Sequence, residues 1–266
     1  MTEPDATLKI SVVVPSYNSA RFIEETVQSI LDQDYPAKEC IVIDGGSNDG
    51  TVEILKKYGD RIKWLSEKDK GQSDAINKGM KLAQGEIVTY LCADDVYEPG
   101  CLQKVADLFT ANKNCQWLYG KCRIVSESGR EIRRPITWYK VFWQKRYSYN
   151  WLLVSNFIAQ PAVFWRRDKG AATGLFDINA HLTMDYDYWL RMGSQHKPGF
   201  INAYLADFRW HPVSKSATGF TAASKAARDT GRKYAVAQKR GFLVPLQYLN
   251  CFTIVAVYSV LRLFQK

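Results

Sequence analysis

The chain has 266 residues, 46% of them hydrophobic, and a formal net charge of +9; this is enough apolar material for the core of one large domain and excludes a disordered chain. The charge is uneven: 13 basic residues face 19 acidic ones over 1–120, 8 face 2 over 121–150, and 10 face 1 over 209–266. An acidic front half excludes a nucleic-acid-binding body, whereas the basic later segments suit a phosphorylated ligand or anionic lipid.

Residues 1–9 are short and polar, without the basic and apolar blocks of a secretory signal, so a cytoplasmic location is expected. The run Ile10 to Pro15 reads as a parallel strand buried on both faces. A helix is expected next, capped by Asn18 or Ser19 and carrying Phe22, Ile23, Val27, Ile30 and Leu31 before Tyr35-Pro36 stops it. Cys40 to Asp44 is a second buried strand, and the turn Gly45 to Gly50 leads into a short helix closed by Gly59. Ile62–Leu65 and Glu86–Leu91 add two strands around a helix over Asp74–Ala83. This alternation predicts right-handed βαβ units, with Asp44, Asp94 and Asp95 at the C-terminal strand edge where open α/β sheets bind ligands.

The second half is less regular. Trp117–Val125 and Ala162–Trp165 read as strands, with an aromatic, basic stretch from Trp138 to Trp151 between them. That stretch suits either stacking on the flat face of a ligand or an ordinary buried cluster. After a basic helix with Arg228, Arg232, Lys233, Lys239 and Arg240, the tail Leu243–Phe264 is apolar but carries Gln247, Asn250, Thr253 and Ser259. An interfacial membrane helix fits it better than core packing or a true span. Six cysteines without a CxxC pair read as free thiols, and three histidines fall at no zinc-ligand spacing.

Two acidic elements carry candidate chemistry. Asp44 is either an acceptor for nucleobase or ribose hydrogen bonds or a turn and cap residue. Asp94-Asp95 follows a buried strand, where adjacent carboxylates repel unless a cation such as Mg²⁺ or Mn²⁺ neutralises them; the plain alternative is a solvated loop pair. Further along, Thr183 to Arg191 starts a helix whose geometry separates two acids. Asp185 shares a face with Tyr188, Trp189 and Met192, and Asp187 shares one with Arg191, with which an exposed i,i+4 pair is expected.

In order and spacing, the segments Val13 to Asn18, Val42 to Thr51, Asp69 to Gly79, Gly85-Glu86 and Leu91 to Pro99 resemble the family 2 glycosyltransferases. The resemblance implies a GT-A fold, Rossmann-like with a mostly parallel sheet flanked by helices and a helical C-terminal tail. The glycosyltransferase domain is expected over 1–215, with a nucleotide-binding half over about 8–120 and an acceptor half over about 121–215; residues 216–266 form the tail. The resemblance places Pro15, Tyr17 and Asp44 around the nucleoside, Asp74 nearby, and Asp94 at the metal and diphosphate. Cys92 stands where the first acid of the metal-binding element is often found, so the metal load falls on Asp94 and Asp95, with His211 beside them. Asp185 is expected to be the general base, and Gln160 and Trp189 to lie on the acceptor side. The activity implied is metal-assisted inverting transfer from a nucleotide-sugar donor, UDP-linked, to a glycan or lipid-linked acceptor. A sugar-1-phosphate nucleotidyltransferase would instead carry a Gly-, Arg- and Lys-rich loop where Pro15-Ser-Tyr-Asn18 stands, and a non-catalytic scaffold need not retain Asp94 with Asp185.

Overall fold

The computed structural model describes residues 7–212, 214 and 219–263. Its front half is a parallel sheet built from β1 (Ile10–Ser16), β2 (Lys38–Asp44), β3 (Lys63–Ser66) and β4 (Ile87–Tyr90) in the order β3-β2-β1-β4. Residues of β1 alternate between two apolar layers, Val12 and Val14 on one side and Val13 on the other. Burial on both faces explains its unbroken apolar run. Helices α1 (Ile23–Leu31), α2 (Thr51–Lys56), α3 (Gln72–Leu82) and α4 (Cys101–Ala111) cover these faces.

The start of α1 differs from the sequence expectation, because neither Asn18 nor Ser19 caps it with a side chain. The Phe22 and Ile23 N–H groups donate instead to the Ser19 carbonyl, at 3.0 and 2.9 Å. Asn18 adopts a left-handed φ of 48°. Its N–H donates to Ser47 Oγ (2.7 Å) and its Oδ1 accepts from the Asn48 N–H (3.1 Å). The β1–α1 loop is thereby fastened to the β2–α2 turn, and both present one surface at the C-terminal edge of the sheet.

The second half extends the same sheet in a different sense. β7 (Val163–Arg166) runs antiparallel to both β4 and β6 (Trp117–Val125). β6 pairs in parallel with β8 (Gly199–Arg209), and β5 (Val96–Tyr97) lies antiparallel on β8. The full order is β3-β2-β1-β4-β7-β6-β8-β5. Neither β5 nor β8 was expected from the sequence. The aromatic stretch folds into α5 (Arg134–Gln144) and α6 (Tyr149–Val154), followed by α7 (Arg167–Thr173) and α8 (Met184–Gln195).

The tail forms two helices, α9 (Phe220–Ala237) and α10 (Val244–Leu263). Gly231 lets α9 lie close to α6, since a Cβ there would meet the Leu153 carbonyl oxygen at 2.3 Å. By length and composition Gly241–Ser259 is apolar enough to cross a membrane, with a mean hydropathy of 1.4, but two of its polar residues have partners in the body: Gln247 donates to the Leu153 carbonyl (2.9 Å) and Asn250 to the Val154 carbonyl (3.2 Å). The opposite face remains open, with Leu249 63% and Phe252 74% exposed.

One half-buried acid holds the far edge of the parallel strands. Burial alone would raise the Glu39 carboxyl, but the Ser11 hydroxyl, the Gln84 N–H and the Lys63 and Lys9 ammonium groups hold it at about 2, below the ordinary 4.5. Because the folded value is the lower one, its stabilisation is complete above the unfolded value and is lost as pH falls toward 2. Glu39→Gln is expected to cost about 2–3 kcal/mol at neutral pH and to flatten the acid limb of a denaturation curve between pH 5 and 2, roughly the window set by this shift. An unchanged acid limb would assign that limb to other carboxylates.

Candidate active site

The C-terminal ends of β1, β2 and β4 meet α3, α8 and the end of β8, and each contributes polar groups. Asp44 closes β2 and is fully buried. Its carboxylate accepts from the Gly46 and Ser47 N–H groups (3.2 and 2.9 Å) and from the Ser47 and Ser66 hydroxyls (2.5 and 2.7 Å). The side chain thus shapes the glycine turn from within. Pro15 lies buried in β1, whereas the Tyr17 ring just beyond is 65% exposed. On α3, Asp74 accepts from the Lys70 N–H (3.1 Å) and faces Lys78 Nζ at 3.5 Å; these partners hold its carboxyl below the ordinary value.

The Asp94-Asp95 turn follows β4. Cys92, Asp94 and Asp95 can bring one ligand atom each within 4.8 Å of one another. The two acids stand in different surroundings. Asp94 Oδ2 lies 2.9 Å from His211 Nε2 at the end of β8. Asp95 is fully buried; its Oδ1 accepts the Arg209 N–H (2.9 Å), and its Oδ2 is a buried oxygen without a hydrogen-bond partner among the described residues. Burial first, and the Asp94 charge second, push the Asp95 carboxyl well above its ordinary value. A buried orphan oxygen beside a second carboxylate and an imidazole fits a divalent cation, which would offset both burial and mutual repulsion. Thiol sulfur from Cys92 makes the donor set softer than an all-oxygen one, which favours Mn²⁺ over Mg²⁺.

Arg209 braces this turn. Its Nε donates to the Asp94 carbonyl (2.9 Å), one terminal nitrogen to the Glu127 carbonyl (2.6 Å), and the other pairs with Glu25 at 2.6 Å. The Phe22 ring packs against both the Arg209 guanidinium and the His211 imidazole. The strand that delivers Arg209 was not anticipated from the sequence.

Asp185 lies in the first turn of α8 and is half-buried. Burial raises its carboxyl above the ordinary 3.8, against the opposing pull of the Tyr186 N–H (2.7 Å), the Lys140 ammonium and the Asn156 amide. Lys140 on α5 is itself depressed by burial. Neither Lys140 nor Asn156 was identified from the sequence, since a Lys in an aromatic helix and an Asn in a loop carry no local signature. Burial pushes the Tyr90 hydroxyl, at the end of β4, well above its ordinary value, and the nearby Asp185 and Asp95 carboxylates add to the rise. Gln160 links these groups, donating to the Tyr90 carbonyl (2.7 Å) with its Oε1 3.4 Å from Cys92 Sγ. Met184 touches Ser73 at the start of α3, at 3.0 Å. The expected base, metal and nucleotide residues therefore share one pole of the sheet.

Two expectations need correction. Trp189, expected on the acceptor side, is fully buried between Trp117 and Trp165, with ring centroids 6.1 and 5.8 Å away, so it has no surface to offer an acceptor. The Asp187–Arg191 pair is not exposed. Asp187 is buried, pairs with Arg191 at 2.9 Å and accepts the Tyr234 hydroxyl of α9 at 2.7 Å. The helical separation of the two acids holds, but both faces of α8 are covered.

Residues 11–169 match the model of glycosyl transferase family 2, which spans the glycine turn, the Asp94-Asp95 turn and Gln160. The chain belongs to that family. The putative teichuronic acid biosynthesis glycosyltransferase TuaG of Bacillus subtilis is 31% identical over 225 residues, covering 81% of this chain and 84% of the relative. An uncharacterized glycosyltransferase of Rickettsia conorii is 27% identical over 212 residues, 76% of this chain; this family 2 chain spans only 34% of that relative's length. Among solved structures, Staphylococcus aureus TarS 1–349 in complex with UDP superposes with a TM-score of 0.61 at 20% identity, over 84% of this chain and 65% of that one. The mannosyltransferase PcManGT of Pyrobaculum calidifontis, in complex with GDP-Man and Mn²⁺, gives 0.64 at 18% identity, over 98% of this chain and 82% of that one. The fold of this family 2 chain is accordingly GT-A, an eight-stranded mixed sheet flanked by helices with a helical C-terminal region.

Proposed function

We propose that this family 2 glycosyltransferase moves a sugar, with inversion, from a UDP-sugar donor to a hydroxyl of a glycan or lipid-linked acceptor, working at the cytoplasmic face of a membrane. The observation that carries the reading is the half-buried Asp185 carboxyl, raised by burial and set on the same pole as the Asp94–His211 pair. Burial makes a carboxylate a better proton acceptor. The acceptor O–H proton passes to Asp185 while its oxygen bonds to the anomeric carbon from the open face. The bond from that carbon to the diphosphate oxygen breaks, and its electron pair leaves with the nucleotide. One displacement inverts the centre, and neither a second carboxylate nor a covalent intermediate is needed.

The remaining residues bind and orient. The exposed Tyr17 ring and the turn shaped by Asp44 suit a nucleoside, with Pro15 setting the loop and Asp74 at its border. Asp94 and His211, with the orphan oxygen of Asp95, would hold Mn²⁺ or Mg²⁺. When bound, the cation supplies charge neutralisation of the diphosphate leaving group. Gln160 borders the acceptor side through its link to Cys92 and Tyr90. The names of TuaG and of the UDP complex of TarS support a UDP-linked donor and a polysaccharide product.

Calorimetric titration of UDP with and without Mn²⁺ tests the donor half. Wild type should bind more tightly with Mn²⁺, and Asp94→Ala should lose that gain by at least the roughly 10- to 100-fold seen when an outer-shell partner is removed. Equal Mn²⁺ dependence in wild type, Asp94→Ala and His211→Ala would move the metal away from this turn.

A further inference from the structure

Between α9 and α10 lies an open notch of about 520 Å³ lined by Arg228, Asp229, Arg232, Lys233 and Tyr248. Tyr248 organises it, with the Arg228 guanidinium 4.5 Å above its ring and Arg232 donating to its hydroxyl at 3.1 Å. Asp229 pairs with Arg228 at 2.8 Å, so among the described residues the notch offers no acid to Arg232 and Lys233, both of which are exposed. Beside the notch, the free face of α10 is an apolar arc. Leu246, Leu249 and Phe252 are exposed and recur every three residues, Phe242 in the turn just before the helix is exposed as well, and Gln247 and Cys251 on the opposite face are buried. Over residues 219–259 the basic side chains outnumber the acidic ones six to one.

The structure assigns this composite face to the headgroup region of an anionic phospholipid monolayer. A lipid phosphate seats in the Arg228–Arg232–Lys233 notch, and Phe242, Leu249 and Phe252 enter the acyl boundary. The inference rests on the membrane reading above and makes it specific. Charge complementarity selects the occupant, because an apolar arc alone would suit any hydrophobic partner, whereas an arc bordered by a cationic notch suits a surface with apolar depth and a phosphate rim. The anchored face also borders the active site, since Thr230 of α9 contacts Thr183 (3.1 Å) and Tyr234 holds Asp187, both at the start of α8 beside Asp185.

The test is flotation of the full chain with neutral phosphatidylcholine vesicles and with mixed phosphatidylcholine–phosphatidylglycerol vesicles. Wild type should bind the mixed vesicles far better, and added salt should erase the preference. Arg232→Gln/Lys233→Gln, which leaves the Arg228–Tyr248 packing intact, should weaken binding to mixed vesicles about 25-fold, from roughly fivefold per surface charge. Leu249→Ser/Phe252→Ser should release the protein from both vesicle types, and UDP binding should be unchanged in both variants. Equal binding to both vesicle types, insensitive to the charge variant, would overturn the headgroup notch while leaving membrane association in place. Absence of vesicle binding, with a dimer in solution that Leu249→Ser/Phe252→Ser dissociates, would assign the face to a second copy and overturn both.

Discussion

Asp185→Asn should lower turnover by roughly 10²- to 10⁴-fold, the range for loss of a general base, while leaving UDP affinity and melting temperature close to wild type. The substitution keeps the shape of the side chain and an oxygen for the Tyr186 N–H, so only the proton acceptor is removed. The pH profile gives an independent reading. A base acts only when deprotonated, and burial raises the Asp185 carboxyl above 3.8; activity should therefore fall on the acid side through a value above 3.8. The Lys140 ammonium opposes that rise. Lys140→Met is thus expected to move the acid limb to higher pH, a shift that simple loss of packing does not produce. Near-normal turnover in Asp185→Asn, with the acid limb unmoved, would remove it from the chemistry.

Asp187→Ala should act on stability rather than chemistry. The carboxylate is buried and joins Arg191 on its own helix to Tyr234 on α9. Breaking a buried pair by removing one partner costs about 3–5 kcal/mol, far beyond the 0–1 kcal/mol of an exposed pair. For a domain of this size the melting temperature should fall by roughly 6–15 °C. Arg191 keeps carbonyl acceptors at Thr173 and Leu175 (2.7 and 2.9 Å), which places the loss toward the lower end. Assayed well below the melting point, the milder Asp187→Asn should retain most turnover. A drop of less than about 2 °C in Asp187→Ala would mean that α9 is held by its apolar contacts alone.

The parallel half of the sheet was legible because strands buried on both faces leave unbroken runs such as Ile10–Pro15 and Cys40–Asp44, and helices between them show apolar spacing. β8 was not. Gly199-Phe-Ile-Asn-Ala-Tyr-Leu-Ala-Asp-Phe-Arg209 is half-exposed, carries Asn202 and Asp207, and pairs with β6 through register shifts around Lys121, so it shows neither a run nor a clean alternation. The grouping of the candidate site was legible where one short segment carries its own acids, as at Asp94-Asp95 and Asp185, which the fold brings to one pole. It was opaque where partners arrive from afar: Arg209 is 114 residues from Asp95, to which its N–H donates. Trp189 misled for a related reason. Helical spacing places it on the face of Asp185, but the wheel does not say that Trp117 and Trp165 cover that face.

The contacts of α10 change how a truncated chain should be regarded. Tyr258 stacks on Phe220 at 3.6 Å and lies 6.4 Å from the Trp210 ring, and the Arg133 guanidinium sits 3.5 Å over that same indole. Trp210 is the residue between Arg209 and His211, the two groups that brace and complete the acidic turn. The last described helix is therefore a buttress of the pole that carries the Asp94-Asp95 turn. Removing Leu243 to Lys266 to obtain a more soluble protein would strip the support from Trp210 and expose the Leu153 and Val154 carbonyls; on the function proposed above, it is expected to lower cation affinity along with lipid affinity. Point changes on the outer arc separate the two; shortening the chain does not.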